Sequence, residues 1–211
     1  MERIVPRAIE TYIDRLADRG GDRLASLERS GLREGWPIVG AAEGGFLHLL
    51  ARMVGARRVL ELGTAIGYSA SWFARAVGED GRVITIEGNP DSARVAMNNI
   101  ADLGLSERVE VKVGRAEVLL RTLRGEFDLV FNDIDKVAYP LVYEDCVRLL
   151  RVGGLLVTDN VLWSGEVAGR SRSKETVAIR AYNERLAHDA RFISSILPLR
   201  DGVSVALKVG R

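Results

Sequence analysis

Residues 59–69 read VLELGTAIGYS, and this stretch decides the fold class of the chain. A mainly apolar run ends at Gly63, a second glycine follows at Gly67, and a helical pattern then covers residues 69–77. A strand that passes through a glycine turn into a helix is typical of the first βα unit of an open α/β sheet, where ligands bind beyond the carboxyl ends of the strands. The stretch therefore predicts a ligand-binding turn at the end of the first strand.

The alternation of strand and helix continues along the chain. The apolar runs that we interpret as buried strands span residues 58–63, 82–89, 109–114, 127–133 and 154–160. The helical patterns between them span residues 69–77, 91–103, 117–123 and 140–150. This order predicts βαβ units and a parallel sheet.

Both ends of the chain add to this sheet. Residues 1–35 form an N-terminal helical segment, and its first helix has apolar residues on one face that are expected to dock against the rest of the protein. After a helix at residues 174–190, apolar runs at 192–197 and 203–209 flank an Asp-Gly turn signal. That pattern predicts a C-terminal antiparallel hairpin.

Composition limits the classes of function. The chain has 211 residues with 47% hydrophobic content, which suffices for the core of a single domain over residues 1–211. Its 30 Lys and Arg nearly balance its 29 Asp and Glu, so it lacks the general basic field that holds nucleic acid. A small-molecule substrate is favoured.

Three features predict a cytoplasmic protein. Cys146 is the single cysteine and lies in an apolar-periodic stretch, so we expect a buried thiol in a reducing compartment. Residues 1–19 are amphipathic and charged and lack the apolar core of a signal peptide. No apolar run reaches the ~18 residues that a membrane-spanning helix needs, so no membrane partner is expected.

The glycine turn indicates the kind of ligand. A dinucleotide fingerprint needs a middle glycine where this chain has Ala65, and no third glycine follows, so a nicotinamide cofactor is disfavoured. Glu87 ends the second strand 24 residues after Gly63, where an acidic side chain accepts hydrogen bonds from ribose hydroxyls. Either feature alone also fits an ordinary tight turn or a solvated strand end. Together they favour a nucleoside without a pyrophosphate, namely S-adenosylmethionine.

Oxygen-bearing side chains stand at the ends of the fourth and fifth strands. Asp133 ends one run, Asp159 and Asn160 end the other, and Lys136 lies beside the first. Because the carboxyl ends of parallel strands meet at one edge of the sheet, we expect these side chains to converge. Carboxylate and amide oxygens without Cys or His suit Mg²⁺, or Ca²⁺ or Mn²⁺, better than Zn²⁺. Each motif alone also fits turn chemistry or a helix cap, and Lys136 alone fits a solvated surface lysine.

Three motifs resemble those of one known family. They are Leu60-Glu61-Leu62-Gly63 with Gly67-Tyr68-Ser69, the Asp133-x-Asp135-Lys136 run, and Asp159-Asn160-Val161-Leu162-Trp163. Together they are similar to the cation-dependent O-methyltransferases, which include catechol and caffeoyl-CoA O-methyltransferases and bacterial relatives. The resemblance extends over residues 38–208 and implies an α/β fold with a doubly wound, Rossmann-like, seven-stranded sheet, usually in a homodimer. The implied activity is transfer of the methyl group of S-adenosylmethionine to a hydroxyl on an aromatic ring.

The resemblance also implies roles for single residues. The residues implied to contact the cofactor are Val39, Glu61, Gly63, Thr64, Ser69, Glu87, Ala116 and Asp135. The residues implied to hold the metal are Asp133, Asp159 and Asn160, and Lys136 matches the catalytic base.

The chain departs from the family pattern at three positions. Asn132 stands where the family has an aliphatic residue, and Ile134 stands where it has a small one, but neither change removes a ligand. Pro198 matches the glutamate with which catechol enzymes hold the hydroxyl that is not methylated, so that anchor is not expected here. Trp36 and Trp163 fit an aromatic pocket and core packing equally well.

Several functions remain open from the residues. The leading interpretation is a Mg²⁺-dependent O-methyltransferase that acts on a vicinal aromatic diol or a related small phenol. The second is a methyltransferase that acts on an RNA hydroxyl. It is favoured by four basic residues in and beside a surface loop predicted at 164–173, namely Arg170, Arg172, Lys174 and Arg180. This loop is also a candidate lid. The third is a non-catalytic cofactor-binding module, in which the metal ligands would be vestigial, and a nicotinamide dehydrogenase is a distant fourth.

Overall fold

A computed structural model of the protein describes residues 4–210 and shows one seven-stranded sheet with helices on both faces. The strands are β1 Arg58–Leu62, β2 Arg82–Glu87, β3 Val109–Val113, β4 Phe127–Asn132, β5 Leu150–Thr158, β6 Phe192–Leu197 and β7 Val203–Lys208. The helices are α1 Arg7–Leu16, α2 Asp22–Glu34, α3 Gly40–Met53, α4 Tyr68–Ala76, α5 Pro90–Asp102, α6 Ala116–Leu119, α7 Tyr139–Leu149 and α8 Lys174–Ala187.

The sheet order is β3-β2-β1-β4-β5-β7-β6, with the first five strands parallel. Strand β7 runs antiparallel to both β5 and β6, which confirms the predicted C-terminal hairpin. The chain order reverses direction at β1, which pairs with β2 on one side and β4 on the other. In an open α/β sheet such a reversal opens a crevice at the carboxyl ends of the two strands, and ligands bind there.

Two hydrophobic clusters cover the two faces of the sheet. One cluster lies under α2, α3, α4 and α5, and there the rings of Phe73 and Phe131 lie 5.6 Å apart. The other lies under α7 and α8, where the rings of Tyr139 and Tyr182 lie 5.5 Å apart. Side chains alternate between the two faces along each strand, so both clusters draw on the same strands. This burial on both faces explains why the parallel strands appear in the sequence as continuous apolar runs.

The structure differs from the predicted element bounds most clearly in two places, and several other ends differ by one to three residues. The helix predicted at 117–123 ends after one α-helical turn and continues as a 3₁₀ turn, because Arg148 on α7 donates to the carbonyl oxygen of Leu120 at 2.9 Å and takes up a terminal acceptor. Strand β5 begins at Leu150 rather than at residue 154, directly after α7, and its pairing with β4 shifts register between Phe127 and Leu129.

Helix α1 forms as predicted but is not embedded in the core. Its apolar residues Ile9, Tyr12, Ile13 and Leu16 are all exposed, and none of its residues is buried. It flanks the carboxyl edge of the sheet, where it forms one wall of a cavity described below.

The turn after β1 depends on a glycine that approaches another strand closely. Gly63 has a φ of +94°, and a Cβ atom at this position would lie 2.4 Å from the carbonyl oxygen of Asp133, the residue that follows β4. The turn then passes through Ala65, with a φ of +47°, to Gly67, whose amide donates to the carbonyl oxygen of Thr64 at 2.8 Å. Only a residue without a side chain lets the ends of β1 and β4 lie this close.

We predict that Gly63→Ala destabilises the protein by at least ~2 kcal/mol, because the new methyl group meets backbone and the φ is strained. Gly45→Ala is the matched control, because Gly45 lies in α3, has no atom within 4 Å of its Cβ position and lacks a positive φ. That control should stabilise the protein by ~0.5–1 kcal/mol through helix propensity. Urea unfolding of both variants is the measurement, and equal effects would contradict the close-approach argument.

Candidate functional site

Two adjoining cavities open at the carboxyl ends of the strands. The first, of about 710 Å³, lies over the crevice between β1 and β4. The second, of about 900 Å³, lies between α1 and the turn of the β6–β7 hairpin. Both volumes are within the range of small-molecule sites. The two cavities share four lining residues, Ile38, Val39, Asn160 and Arg200.

The first cavity gathers most of the residues singled out in the sequence. Those that line it are Val39, Gly63, Glu87, Ala116, Asp133, Asp135, Lys136, Asp159 and Asn160. The other three residues predicted to contact the cofactor, Glu61, Thr64 and Ser69, do not line it and are buried. The structure thus brings nine of the predicted residues to one cavity and sets three within the protein beneath it.

Glu61 is a buried carboxyl group in the middle of the sheet. It has no exposed surface, and the Thr85 hydroxyl donates to its Oε2 at 2.6 Å, while its Oε1 has no partner among the described residues. Burial raises the pKa of Glu61 to about 8, although the hydroxyl groups of Ser69 and Thr85 oppose the shift. The neutral form is favoured because an ionised carboxylate is poorly solvated inside the protein.

The raised pKa of Glu61 predicts a pH dependence of stability. The unfolded chain ionises this group above its ordinary pKa of 4.5, whereas the folded protein keeps the proton up to about 8. The group therefore stabilises the fold at low pH, and this contribution is lost as the pH rises from about 4.5 to 8. Glutamine does not ionise, so Glu61→Gln should not lose this contribution. The free energy of unfolding of the variant, relative to that of the wild type, should therefore increase between pH 5 and pH 8.

Urea unfolding at several pH values checks this prediction. Glu110→Gln serves as the control, because Glu110 is an exposed glutamate on β3. Parallel pH profiles for the wild type and Glu61→Gln would show that Glu61 does not titrate in this way.

Glu87 holds the glycine turn and also faces the first cavity. Its Oε2 accepts from the backbone amides of Thr64 at 3.2 Å and Ala65 at 2.9 Å, and its Oε1 accepts from the amide of Asn89 at 2.8 Å. An ionised carboxylate has about four acceptor positions, so acceptor capacity remains at the cavity wall. Glu87 is therefore placed both to order the turn and to accept further hydrogen bonds.

The predicted metal ligands lie at the other end of the same cavity. Asp133 is paired with Lys136, whose Nζ donates to Asp133 Oδ1 at 2.8 Å and to the carbonyl oxygen of Ile134 at 3.2 Å. Asp159 is almost fully buried and accepts from the amide of Asn160, which has a left-handed φ of +55°. Burial and the charge of Asp133 raise the pKa of Asp159 to about 7.

Two further charged residues adjoin these groups, and neither had been assigned a role from the sequence. Glu43 on α3 has no exposed surface, and Arg200 in the hairpin turn donates from Nη1 to Glu43 Oε2 at 3.3 Å and to the carbonyl oxygen of Ile38 at 3.1 Å. Burial and the charge of Asp159 raise the pKa of Glu43 well above its ordinary value. The available signal was a glutamate inside the mainly apolar helical stretch GAAEGGFLHLL at residues 40–50.

The charge balance of this cluster bears on the predicted cation. Glu43, Asp133 and Asp159 are opposed by Lys136 and Arg200, and Glu43 Oε1 is buried without a partner among residues 4–210. A set of carboxylate and amide oxygens with excess negative charge fits a hard cation such as Mg²⁺. Within the same residues, no three His, Cys, Asp or Glu side chains are grouped so as to hold a metal ion. The metal site therefore stays a prediction that rests on two carboxylates and the Asn160 amide.

The two tryptophans left open by the sequence have different surroundings. Trp36 lines the first cavity and is partly buried against the core. Trp163 packs against the second hydrophobic cluster and lines neither cavity. Of the two, only Trp36 is placed to contact a ligand in the first cavity.

The fold and the site together define the class of protein. The mostly parallel seven-stranded sheet with an antiparallel end is shared with a methyltransferase solved in complex with S-adenosylmethionine. Residues 21–209 match the family model described as O-methyltransferase. The chain belongs to the O-methyltransferase family, and its activity is transfer of a methyl group from S-adenosylmethionine to oxygen.

Similar proteins extend over nearly the whole chain. A catechol O-methyltransferase of Niastella koreensis is 34% identical over 212 residues, covering 95% of this chain and 96% of the relative. The crystal structure of the O-methyltransferase TomG from Streptomyces achromogenes in complex with S-adenosylmethionine is 33% identical, with a TM-score of 0.88 and full coverage of both chains, 100% each. An O-methyltransferase from Bacillus cereus in complex with S-adenosylhomocysteine is 31% identical, with a TM-score of 0.87 over 95% of this chain and 97% of that one.

Among residues 4–210, no helix combines the length and apolar character that crossing a membrane requires.

Proposed function

We propose that this O-methyltransferase acts on a hydroxyl of a small aromatic acceptor, preferably a vicinal diol, with the assistance of a divalent cation. The observation that carries the proposal is the convergence of Asp133, Asp159, Asn160 and Lys136 in the cavity that also holds Glu87. Support comes from the relative of Niastella koreensis, which is a catechol O-methyltransferase.

The cofactor is proposed to occupy the end of the first cavity nearest β1 and β2. Glu87 would accept hydrogen bonds from its ribose hydroxyls, and the absence of a side chain at Gly63 leaves room at the turn. Val39, Ala116 and Asp135 line the same cavity, while Glu61, Thr64 and Ser69 support the turn from below. S-adenosylmethionine supplies the methyl group, which is carried on its sulfonium sulfur.

The acceptor hydroxyl must lose its proton for the oxygen to attack. A phenol with an unperturbed pKa near ~10 is about 0.1% ionised at pH 7, so forming the phenolate costs roughly 4 kcal/mol. A divalent cation bound by Asp133, Asp159 and Asn160 would supply positive charge that lowers the pKa of a hydroxyl at the site.

Lys136 is the residue placed to receive that proton. Its Nζ lies at the cavity wall and is oriented by Asp133 and the Ile134 carbonyl. As a general base it would accept the proton at Nζ, which must then lie within hydrogen-bond reach of the hydroxyl. The chain then holds the oxygen and the methyl group in line, which is the main contribution to a displacement of this type.

Glu87→Ala is expected to weaken S-adenosylmethionine binding by ~1.5–3 kcal/mol, because it removes charged acceptors from the proposed ribose contact. Isothermal titration calorimetry measures the affinity directly. Glu110→Ala removes a carboxylate from the neighbouring strand β3 and should leave the affinity unchanged. Wild-type affinity in folded Glu87→Ala would overturn the ribose assignment.

Removal of divalent cations is expected to abolish methyl transfer to catechol and to leave S-adenosylmethionine affinity intact, because the proposed cofactor contacts lie at β1 and β2. Asp159→Asn and Asn160→Ala should behave as the chelated enzyme does. Catechol should exceed a matched monophenol at least ~tenfold in kcat/KM, about 1.4 kcal/mol, since a vicinal diol offers a cation two oxygens.

The measurement is the rate of S-adenosylhomocysteine formation with each acceptor, before and after chelation and after addition of Mg²⁺. Full activity after exhaustive chelation would contradict the proposed role of the cation. Equal rates on catechol and monophenol would contradict the preference for a vicinal diol.

A further inference from the structure

The loop that follows β5 is built around one arginine of α8. The Arg180 guanidinium donates from Nε to the carbonyl oxygen of Val167 at 2.8 Å and from Nη1 to that of Ser171 at 2.8 Å. Its Nη2 donates to the carbonyl oxygens of Glu166 and Gly169, both at 2.7 Å. Four hydrogen bonds from one cation to four backbone carbonyls restrain the loop, because bonds from a charged donor are stronger than bonds between neutral groups.

Two other residues on the same face of α8 extend this support. Thr176 Oγ1 donates to Glu166 Oε2 at 2.7 Å, and Asn183 Nδ2 donates to the carbonyl oxygen of Val161 at 2.8 Å. Thr176, Arg180 and Asn183 are spaced so that they share one helical face. This face therefore contacts the loop from residue 161 to residue 171 and supports its backbone.

The loop backbone is strained, which shows why it needs such support. Trp163 and Ser164 have φ values of +47° and +52°, and Gly165 follows at +79°. Left-handed conformations are unfavourable in residues with side chains and persist only where the surrounding structure holds them in place. Asp201 holds Ser164 directly, because its carboxylate accepts from the Ser164 amide, and Arg180 holds the residues that follow, from Glu166 to Ser171.

The strained residues lie beside the site. Ser164 lines the second cavity together with Asn160 and the hairpin-turn residues Pro198 to Asp201. Arg180 lines neither cavity, so it acts on them only through the loop. A wall displaced by about 1 Å is enough to change how a bound molecule is oriented for reaction.

We propose that Arg180 is a specificity-determining positioning residue: by holding the loop at residues 163–171 it fixes Ser164, through which this loop lines the second cavity, and that cavity orients the aromatic acceptor. The inference rests on the proposed function, because it takes the second cavity as the place of the acceptor. Under this proposal, the shape of the cavity beside Ser164 determines which of the two hydroxyls of a diol is methylated.

The test compares Arg180→Lys with Arg172→Lys. Lysine keeps the positive charge but cannot donate to four carbonyl oxygens in the geometry of a guanidinium group. Arg172 is the matched control, because it lies in the same loop, is exposed and makes no hydrogen bond or ion pair among the described residues. The acceptor is 3,4-dihydroxybenzoate, whose two hydroxyls give distinguishable monomethyl products. The measurements are the product ratio, KM and kcat for the acceptor, the Kd of S-adenosylmethionine, and amide hydrogen exchange of residues 163–171.

For Arg180→Lys we expect faster exchange in the loop, a product ratio shifted at least ~threefold and a KM raised at least ~fivefold, with the Kd of S-adenosylmethionine within about twofold of wild type. Arg172→Lys should match the wild type in all of these. A role in stability alone would lower the unfolding midpoint without moving the product ratio. Should Arg180→Lys fail to fold, Thr176→Val removes the hydrogen bond to Glu166 together with those that the same hydroxyl shares with Ser171 and Ser173, leaves Arg180 in place, and should give smaller shifts in the same direction.

The outcomes separate this inference from the proposed function. Faster loop exchange with an unchanged product ratio and KM would overturn the role in specificity, and unchanged exchange would overturn the role in holding the loop. If the wild type methylates no vicinal diol in the presence of Mg²⁺, the proposed function fails, and the exchange comparison still decides whether Arg180 fixes the loop.

Discussion

The close approach of β1 and β4 at their carboxyl ends is the constraint on which the rest of the site depends. At Gly63 the backbone leaves no room for a Cβ atom, because the carbonyl oxygen of Asp133 would lie only 2.4 Å away. That contact places the glycine turn, with Glu87 bound to its amides, directly beside the run that contains Asp133 and Lys136. The proposed cofactor contacts at one strand end and the proposed activating residues at the other therefore face the same cavity.

A second constraint is the number of acidic groups that the protein buries at this edge. Glu43 and Glu61 have no exposed surface, and Asp159 has almost none, and burial raises the pKa of all three. Burying carboxyl groups is unfavourable unless they are neutral or are paired with positive charge. Within the described residues the nearby cations are Lys136 and Arg200. The buried carboxyl groups lower the stability of the fold, and a cationic ligand bound beside them would offset part of this effect. The cluster is therefore better explained by a function than by a contribution to the fold.

Much of the fold and part of the site could be predicted from the sequence, and local physics explains which part. The parallel strands are buried on both faces, so they appear as continuous apolar runs, and the residues that end those runs must meet at one edge. Asp133, Asp159 and Glu87 were found in this way. Glu43 and Arg200 were not, because they lie 157 residues apart and their pairing depends on tertiary contact between α3 and the hairpin turn. The shortened α6 was missed for the same reason, since its end is set by Arg148 on another helix.

The loop after β5 is the clearest case in which local sequence composition does not predict tertiary contacts. Glycine, serine and charged residues at 164–173 are typical of a mobile surface segment, and Arg180 by itself resembles one more solvated cation in a basic group. In the structure Arg180 turns inward and binds four carbonyls, so it is withdrawn from any surface that would attract RNA. The motif residues form the glycine turn and the oxygen cluster at the first cavity. The second cavity is lined instead by α1, α2, the start of α3, the hairpin turn, and Asn160 and Ser164 after β5. If the acceptor occupies that cavity, as we propose, its selection depends on contacts that bring distant segments together, which a local sequence motif does not contain.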